Sequence, residues 1–283
     1  MWESIFLVFA LPISLFLEGL RRKVIARFHN RVGPPVYQPF LDLRKLFGKG
    51  PSDSRGSDNA FFRVCPFLYF LSSFLLFLFI PFQIFSFSFD FILLIYITIL
   101  CSGFYVLVGF ASNSPYGIVG AMREIITMVA YEMVLAVSVF AFMLASGVTS
   151  LSAYPAGMHF MTAPLATIAL LFVVSIETKI TPFDSAEADT EIMYGYKTEF
   201  SSGSLAWMEL ARQVKSAFFM FFLVFLLFGP LHIIWLSIGT LAFVFLFALA
   251  NATTSRFRVD QVFKVFVPVL ALALIELLRM VMA

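Results

Sequence analysis

The chain has 283 residues, of which 61% are hydrophobic and 13% charged, with 38 phenylalanines and a net charge of +2. Soluble domains carry about twice that charged fraction, and so few polar residues could not cover a water-facing exterior. These figures exclude a water-soluble globule, a disordered chain, a disulfide scaffold (there are two cysteines) and a basic nucleic-acid binder, and they leave the bilayer as the solvent for most of the chain.

A helix crosses the hydrocarbon core in about 20 residues. Cutting the chain at its polar interruptions gives eight expected spans, at 2–20, 64–85, 91–111, 124–145, 160–181, 207–228, 232–251 and 262–282. The expected fold is therefore all-α, a polytopic membrane protein forming a single integral membrane domain over 1–283, with one amphipathic surface helix. Arg21-Arg22-Lys23 follows the first apolar run instead of preceding it, and no small-residue cleavage site comes after it. The first span is expected to be a retained membrane helix, not a signal peptide.

The connection after it carries Arg27 and Arg31, then Gly33-Pro34-Pro35, a stiff turn, and Gln38. Beyond Pro39, Phe40, Leu43 and Phe47 oppose Asp42, Arg44, Lys45 and Lys49. This pattern suits a helix lying in the headgroup layer and equally a docking platform for a peripheral protein. Ten of the nineteen Lys and Arg lie between Arg21 and Arg63. Counting crossings, all the others except Arg279 fall on the same side, and the connections around 83–90, 147–159 and 229–231 contain none. The positive-inside rule then puts the long loops in the cytoplasm and both termini outside.

The fourth span opens on Arg123 and Glu124 and carries Glu132 eight residues later. That spacing is two turns, so the two carboxylates lie near one face, about 12 Å apart. Glu177 lies inside the fifth span, which Pro182 is expected to end. Asp184 can cap a new helix with Glu187 closing a capping box, and Glu187 and Glu191 would then share a face that Asp189 does not. Taken alone, this segment is a solvated acidic loop, but that account leaves Glu177 unexplained. Glu209 and Arg212 occupy the first turn of the sixth span. Ionisable groups in hydrocarbon cost a few kcal/mol and normally face a partner or a wet cavity. Glu132 is either half of a structural ion pair, with Arg123 or Arg212, or part of a carboxylate proton relay. Together, Glu132, Glu177 and Glu209 favour an internal polar path.

Cys65 and Cys101 are isolated within spans, and His29, His159 and His232 are scattered on different sides. Neither set has iron–sulfur, haem or zinc spacing. There is no Walker loop, dinucleotide fingerprint or nucleophile elbow. The expectation is a chain with no redox centre, no cofactor and no catalytic residue of its own.

Four blocks carry a resemblance: Arg31-Val-Gly-Pro-Pro with Gln38, Asp42 and Lys45; Ser112-Asn-Ser-Pro-Tyr-Gly with Gly120-Ala-Met-Arg-Glu and Tyr131-Glu; Glu177-Thr through Pro182-Phe-Asp, Glu187-Ala-Asp, Glu191 and Glu199-Phe-Ser; and Arg256-Phe-Arg-Val-Asp-Gln. In order and over nearly the whole chain, they resemble the subunit 1 family of respiratory complex I and its relatives, the membrane-bound [NiFe] hydrogenases and sulfane sulfur reductases. The resemblance implies a heel subunit of a prokaryotic cell-membrane complex, joining a peripheral redox arm to ion translocation of H⁺ or Na⁺. Glu124, Glu132, Glu177, Asp184, Glu187, Glu191, Glu199 and Glu209 would line its carboxylate path, with Asp189 where complex I relatives usually show Glu, and with Arg123, Lys179 and Arg212 as charge partners. Arg27, Arg31, Gly33, Pro34, Gln38, Asp42 and Lys45 would form the arm-docking loop.

The implied partners are hydrogenase-like large and iron–sulfur subunits, which would carry the iron–sulfur clusters and [NiFe], together with antiporter-like membrane subunits. Quinone-using relatives usually have Gly-Pro-Asn where this chain has Gly33-Pro34-Pro35, which looks more like the hydrogenase and sulfur-reductase branch. A quinone-chamber subunit of complex I is the alternative within the family. A stand-alone proton-coupled transporter is the alternative of another class, although no repeat of the transporter kind is visible.

Overall fold

A computed structural model describes residues 2–50, 60–80, 87–184 and 193–282. The helices are α1 (Trp2–Phe28), α2 (Gln38–Phe47), α3 (Ala60–Leu76), α4 (Asp90–Ala111), α5 (Pro115–Ser146), α6 (His159–Thr162), α7 (Pro164–Glu177), α8 (Ser202–Phe228), α9 (Ile233–Thr253) and α10 (Val259–Met282), with a 3₁₀ turn at Gly195–Thr198. Among the described residues there is no strand. Each of the eight expected spans coincides with a helix. Five of them, α4, α5, α8, α9 and α10, are long and apolar enough to cross a membrane, and α3 and α7 are shorter apolar helices.

Where the boundaries differ from expectation, the cause is local. Ser114 caps α5 by accepting the Gly117 N–H (3.2 Å), and Pro115 occupies the first turn, where its missing N–H costs nothing. The helix thus starts nine residues before the apolar pattern does. Its 32 residues span about 48 Å, well beyond an apolar core of about 30 Å, so its first turns stand clear of the hydrocarbon. The fifth span corrects the other way. α7 stops at Glu177, four residues before the expected end and well before Pro182. Thr178 caps it, and Lys179 turns left-handed at φ 52° with its N–H donating to the Ile176 carbonyl (2.9 Å). Non-helical backbone at this depth survives only inside protein, and Thr178, Ile180 and Phe183 are all buried.

The bundle is organised around α8. Of its most apolar stretch 89% is buried, against 28% for α9 and 22% for α10. A helix that is apolar on every side belongs in the middle, and α8 packs against α1, α2, α3, α7 and α9. Phe218, Phe219 and Phe222 on it are fully buried, and the Phe218 and Phe222 rings stack at 5.7 Å. α5 forms a second wall against α4, α7 and α10. At the end away from the basic residues, the 148–158 connection folds over α8, where the Tyr154 hydroxyl donates to the Leu226 carbonyl (3.0 Å) and the Gly157 N–H to that of Phe228 (3.1 Å).

The first connection returns along α1 so closely that a Cβ on Gly19 would sit 1.8 Å from the Val36 carbonyl oxygen. That obstacle is backbone, which cannot swing aside. Gly19→Ala should therefore push the segment before α2 off α1 and destabilise the protein by about 1–3 kcal/mol, measured as a lower denaturation midpoint in mild detergent. An unchanged midpoint would show that the loop does not pack there.

Candidate functional site

Three helices and the turn after α7 bring their polar side chains to one place in the basic half of the bundle. Lys179, carried inward by its left-handed turn, forms an ion pair with Glu124 of α5 and lies 4.6 Å over the ring of Tyr105 on α4. The Tyr131 hydroxyl, two turns along α5, is 3.4 Å from Glu124 Oε1 and 3.3 Å from Ser102 Oγ on α4. Lys215 of α8 donates from Nζ to the same Ser102 Oγ (2.9 Å) and pairs with Oε2 of Glu177, the last residue of α7 (2.7 Å). The result is an unbroken line, Lys179–Glu124–Tyr131–Ser102–Lys215–Glu177. Glu124, Tyr131, Ser102, Lys215 and Glu177 are each at most 2% exposed.

Glu132 joins this line from the side. Its electrostatic neighbours are Glu177, Lys215 and Glu124, and Ser102 is its hydrogen-bonding neighbour. Its Oε1 is buried and, like Oε1 of Glu177, accepts no hydrogen bond among the described residues. The structural pair expected for Glu132 does not form with Arg212, which binds Glu209 on its own helix (2.8 Å). Arg123 precedes Glu132 by nine residues, half a turn out of phase, and so leaves α5 on the other side.

The remaining acids lie in separate clusters nearer the basic end. Glu209 is held between Arg212 and Lys197 (2.9 Å) of the 3₁₀ turn. Asp184 pairs with Arg256 (3.0 Å) in the connection before α10. Around that pair the Phe257 N–H donates to the Pro182 carbonyl (2.8 Å), the Phe183 and Phe257 rings meet at 5.6 Å, and the Thr181 hydroxyl donates to the Asn251 carbonyl (3.1 Å). Two blocks some 70 residues apart, Pro182-Phe-Asp and Arg256-Phe, thus form one clamp. Glu199 follows the 3₁₀ turn and is half-buried. Glu187, Asp189 and Glu191 lie outside the described residues.

In the first connection, Arg27, Arg31, Gly33 and Lys45 are exposed and Pro34 half-buried. Gly33 has φ 73°, and a Cβ there would meet Ala26 Cβ at 2.6 Å, so this turn requires glycine. Asp42 is taken up within the chain, by Arg22 (3.1 Å) and Gln38 (3.0 Å), and does not project outward. Arg22 and Arg21 in turn bind Glu18 of α1 (3.0 and 2.7 Å). On its inner face α2 buries Pro39 and Leu43, while Phe47 meets Trp207 edge-on.

Lys215, Tyr131, Ser102 and Glu18 were not among the residues expected from sequence. Glu18 had a local signal, since acids three and four residues before arginines pair along a helix. Lys215 had a weaker one, a lone cation just ahead of a run of buried phenylalanines. Tyr131 and Ser102 had none, because hydroxyls are common in apolar helices.

A sequence model for the family described as NADH dehydrogenase matches residues 3–281. The chain belongs to that family, as a subunit 1 member. Its relatives include the corresponding membrane protein of the NADH-quinone oxidoreductase of Bacillus cytotoxicus, 31% identical over 310 residues covering 95% of this chain and 92% of that one. Chain 1 of the NADH-ubiquinone oxidoreductase of Bradypus variegatus is also 31% identical, with 89% and 86% covered. The same fold occurs in a solved chain of the membrane-bound sulfane sulfur reductase, an archaeal respiratory membrane complex, with a TM-score of 0.89, 22% identity and 98% of each chain covered. Among the described residues of this family member, no group of His, Cys, Asp and Glu side chains comes together as a metal site.

The Asp184–Arg256 contact couples two loops, so a double-mutant cycle with Asp184→Asn and Arg256→Gln should give an interaction energy of about 0.5–3 kcal/mol in detergent denaturation. Strict additivity would mean that the clamp is held by the aromatic and backbone contacts alone.

Proposed function

We propose that this chain is the membrane-anchoring and ion-coupling subunit of a membrane-bound respiratory complex of the hydrogenase or sulfane sulfur reductase type. The observation that carries the reading is the buried line from Lys179 to Glu177, with Glu132 beside it. Helices that only anchored a partner would have no reason to bury three carboxylates and two ammonium groups, because each is costly to take from water. Groups that exchange protons over short hydrogen-bonded steps form such lines.

In this reading the basic end of the bundle faces the cytoplasm, following the positive-inside rule. The exposed Arg27, Arg31 and Lys45 meet the peripheral redox arm, whose hydrogenase-like and iron–sulfur subunits hold the metal centres. Antiporter-like membrane subunits receive the coupling, and the moved ion is H⁺ or Na⁺. Turnover in the arm shifts the segment joining Pro182 to the 3₁₀ turn. The Asp184–Arg256 clamp and the Lys197–Glu209 pair connect that segment to α8 and α10, so its movement alters the field at Glu124 and Glu177.

The branch within the family rests on Pro35, whose carbonyl accepts the Gln38 N–H (3.0 Å) at the start of α2. A quinone-reducing complex is the second reading, favoured by the relatives from quinone and ubiquinone oxidoreductases. Acceptor assays on the purified complex with protons, a sulfur compound and a quinone separate the two.

Glu132→Gln keeps the size of the side chain and removes its charge. In the assembled complex this variant, and Asp184→Asn, should lose ion translocation by about 10²-fold while subunit composition stays the same. Normal translocation at normal turnover in both variants would end this reading.

A further inference from the structure

Lys215 is a fully enclosed ammonium that has more acid around it than it can pair. The charged and titratable groups facing it come from every neighbouring element. Glu124, Tyr131 and Glu132 approach from α5, Cys101 beside Ser102 from α4, Glu177 from α7, and Lys179 from the turn after it. Lys179 is committed to Glu124. That leaves one ammonium for two carboxylates. Both Glu132 and Glu177 have a buried Oε1 that accepts no hydrogen bond among the described residues. A buried carboxylate without a partner is far more costly than a buried carboxylic acid, so charge balance across these groups calls for one proton on the Glu132–Glu177 pair.

Ser102 brings the two acids within reach of the same cation. Its Oγ lies 2.9 Å from Lys215 Nζ, and it is also the hydrogen-bonding neighbour of Glu132. The ammonium therefore sits between Glu177, at 2.7 Å, and a second carboxylate that shares its serine. Four methylenes give lysine the freedom to change partner without moving a helix. On the apolar side the ring of Phe219, 5.9 Å from Nζ, closes the way back along α8.

We propose that Lys215 is the switching cation of this site, pairing in turn with Glu177 and Glu132 while the carboxylate it leaves takes up a single shared proton. In one state Lys215 binds the Glu177 carboxylate and Glu132 is the acid. In the other, the O–H bond at Glu132 is broken, one forms at Glu177, and Lys215 binds Glu132. The ammonium stays protonated throughout, one proton moves, and no electron is exchanged. Lys215 is thus a positioning residue that acts through the two acids. A lysine in this place also occupies the position a metal cation would need, so the ion passed at this step is a proton, whatever the rest of the complex transports. The inference rests on the reading of the chain as an ion-coupling subunit.

The test uses the intact complex, with infrared difference spectra in the protonated-carboxyl region, subunit composition, and proton uptake during turnover. The expected results are a protonated-carboxyl band in the parent complex, its loss in both Glu132→Gln and Glu177→Gln, and a gain of intensity in Lys215→Met, where a second carboxylate must be neutralised. Coupled proton uptake should fall by about 10²-fold in Lys215→Met and return in large part in Lys215→Arg. If Lys215→Met fails to assemble, the two glutamine variants decide the matter by their spectra. A band that survives in both glutamine variants, or a Lys215→Met complex with normal uptake and an unchanged spectrum, overturns the proposal. Those results could coexist with ion coupling through other residues. Conversely, a parent complex that turns over without moving any ion would refute the functional reading even with the band present.

Discussion

Charge inside hydrocarbon has to be answered by charge of the opposite sign, and in this protein that requirement dictates where helices begin, end and cross. Lys215 on the most buried helix of the bundle has its counter-ion at the last residue of α7, and Lys179 has its own on α5. Neither pair exists within a single helix. If α7 ran on to residue 181 as one rod, Lys179 would lie two residues past Glu177, projecting from a different side of the same cylinder. Ending the helix at Glu177 and turning left-handed at Lys179 sends the two side chains to different partners. The length of α5 serves the same end. Because it begins well outside the hydrocarbon, Glu124 and Glu132 fall on consecutive levels of the same buried interface.

The eight apolar segments were legible because an unbroken run of apolar residues has one meaning in a bilayer. The basic asymmetry and the isolated, buried cysteines were equally plain. Helix ends were less so. Hydropathy marks where a helix enters hydrocarbon, which for α5 is nine residues inside its true start, and it takes no account of a residue such as Lys179 that leaves the helix while still buried. The site was half legible. The acids stood out because carboxylates are rare in apolar helices. Their partners did not, since Glu177 and Lys215 are 38 positions apart and Tyr131 and Ser102 are 29 apart, and no periodicity connects separate helices. Charge on its own also misassigned partners. Arg212 looked available to Glu132 but is held by Glu209, three residues away on its own helix.

Two kinds of packing meet on α8, and their boundary limits what the polar line can do. Above Lys215 the helix faces Arg212, Glu209 and the 3₁₀ turn; below it come Phe218, Phe219 and Phe222, each fully buried. Beyond this level the buried polar groups of the neighbouring helices are hydroxyls that bond to their own backbone, Ser138 to the Val134 carbonyl (2.7 Å), Thr98 to that of Leu94 (2.9 Å) and Ser73 to that of Phe70 (2.8 Å). Such hydroxyls satisfy themselves locally and offer nothing to a passing charge. The next buried acids, Asp90 and Glu276, lie at the far end of the bundle and are engaged there, with the Phe87 N–H (2.7 Å) and with Arg279. Among the described residues, then, the charged line enters from the basic end and stops part-way. A carrier acting alone would need a route to both surfaces. A line that opens at one end and stops against an aromatic core can only alter its own protonation and hand the change sideways, which is what a coupling subunit set between a redox arm and other membrane subunits has to do.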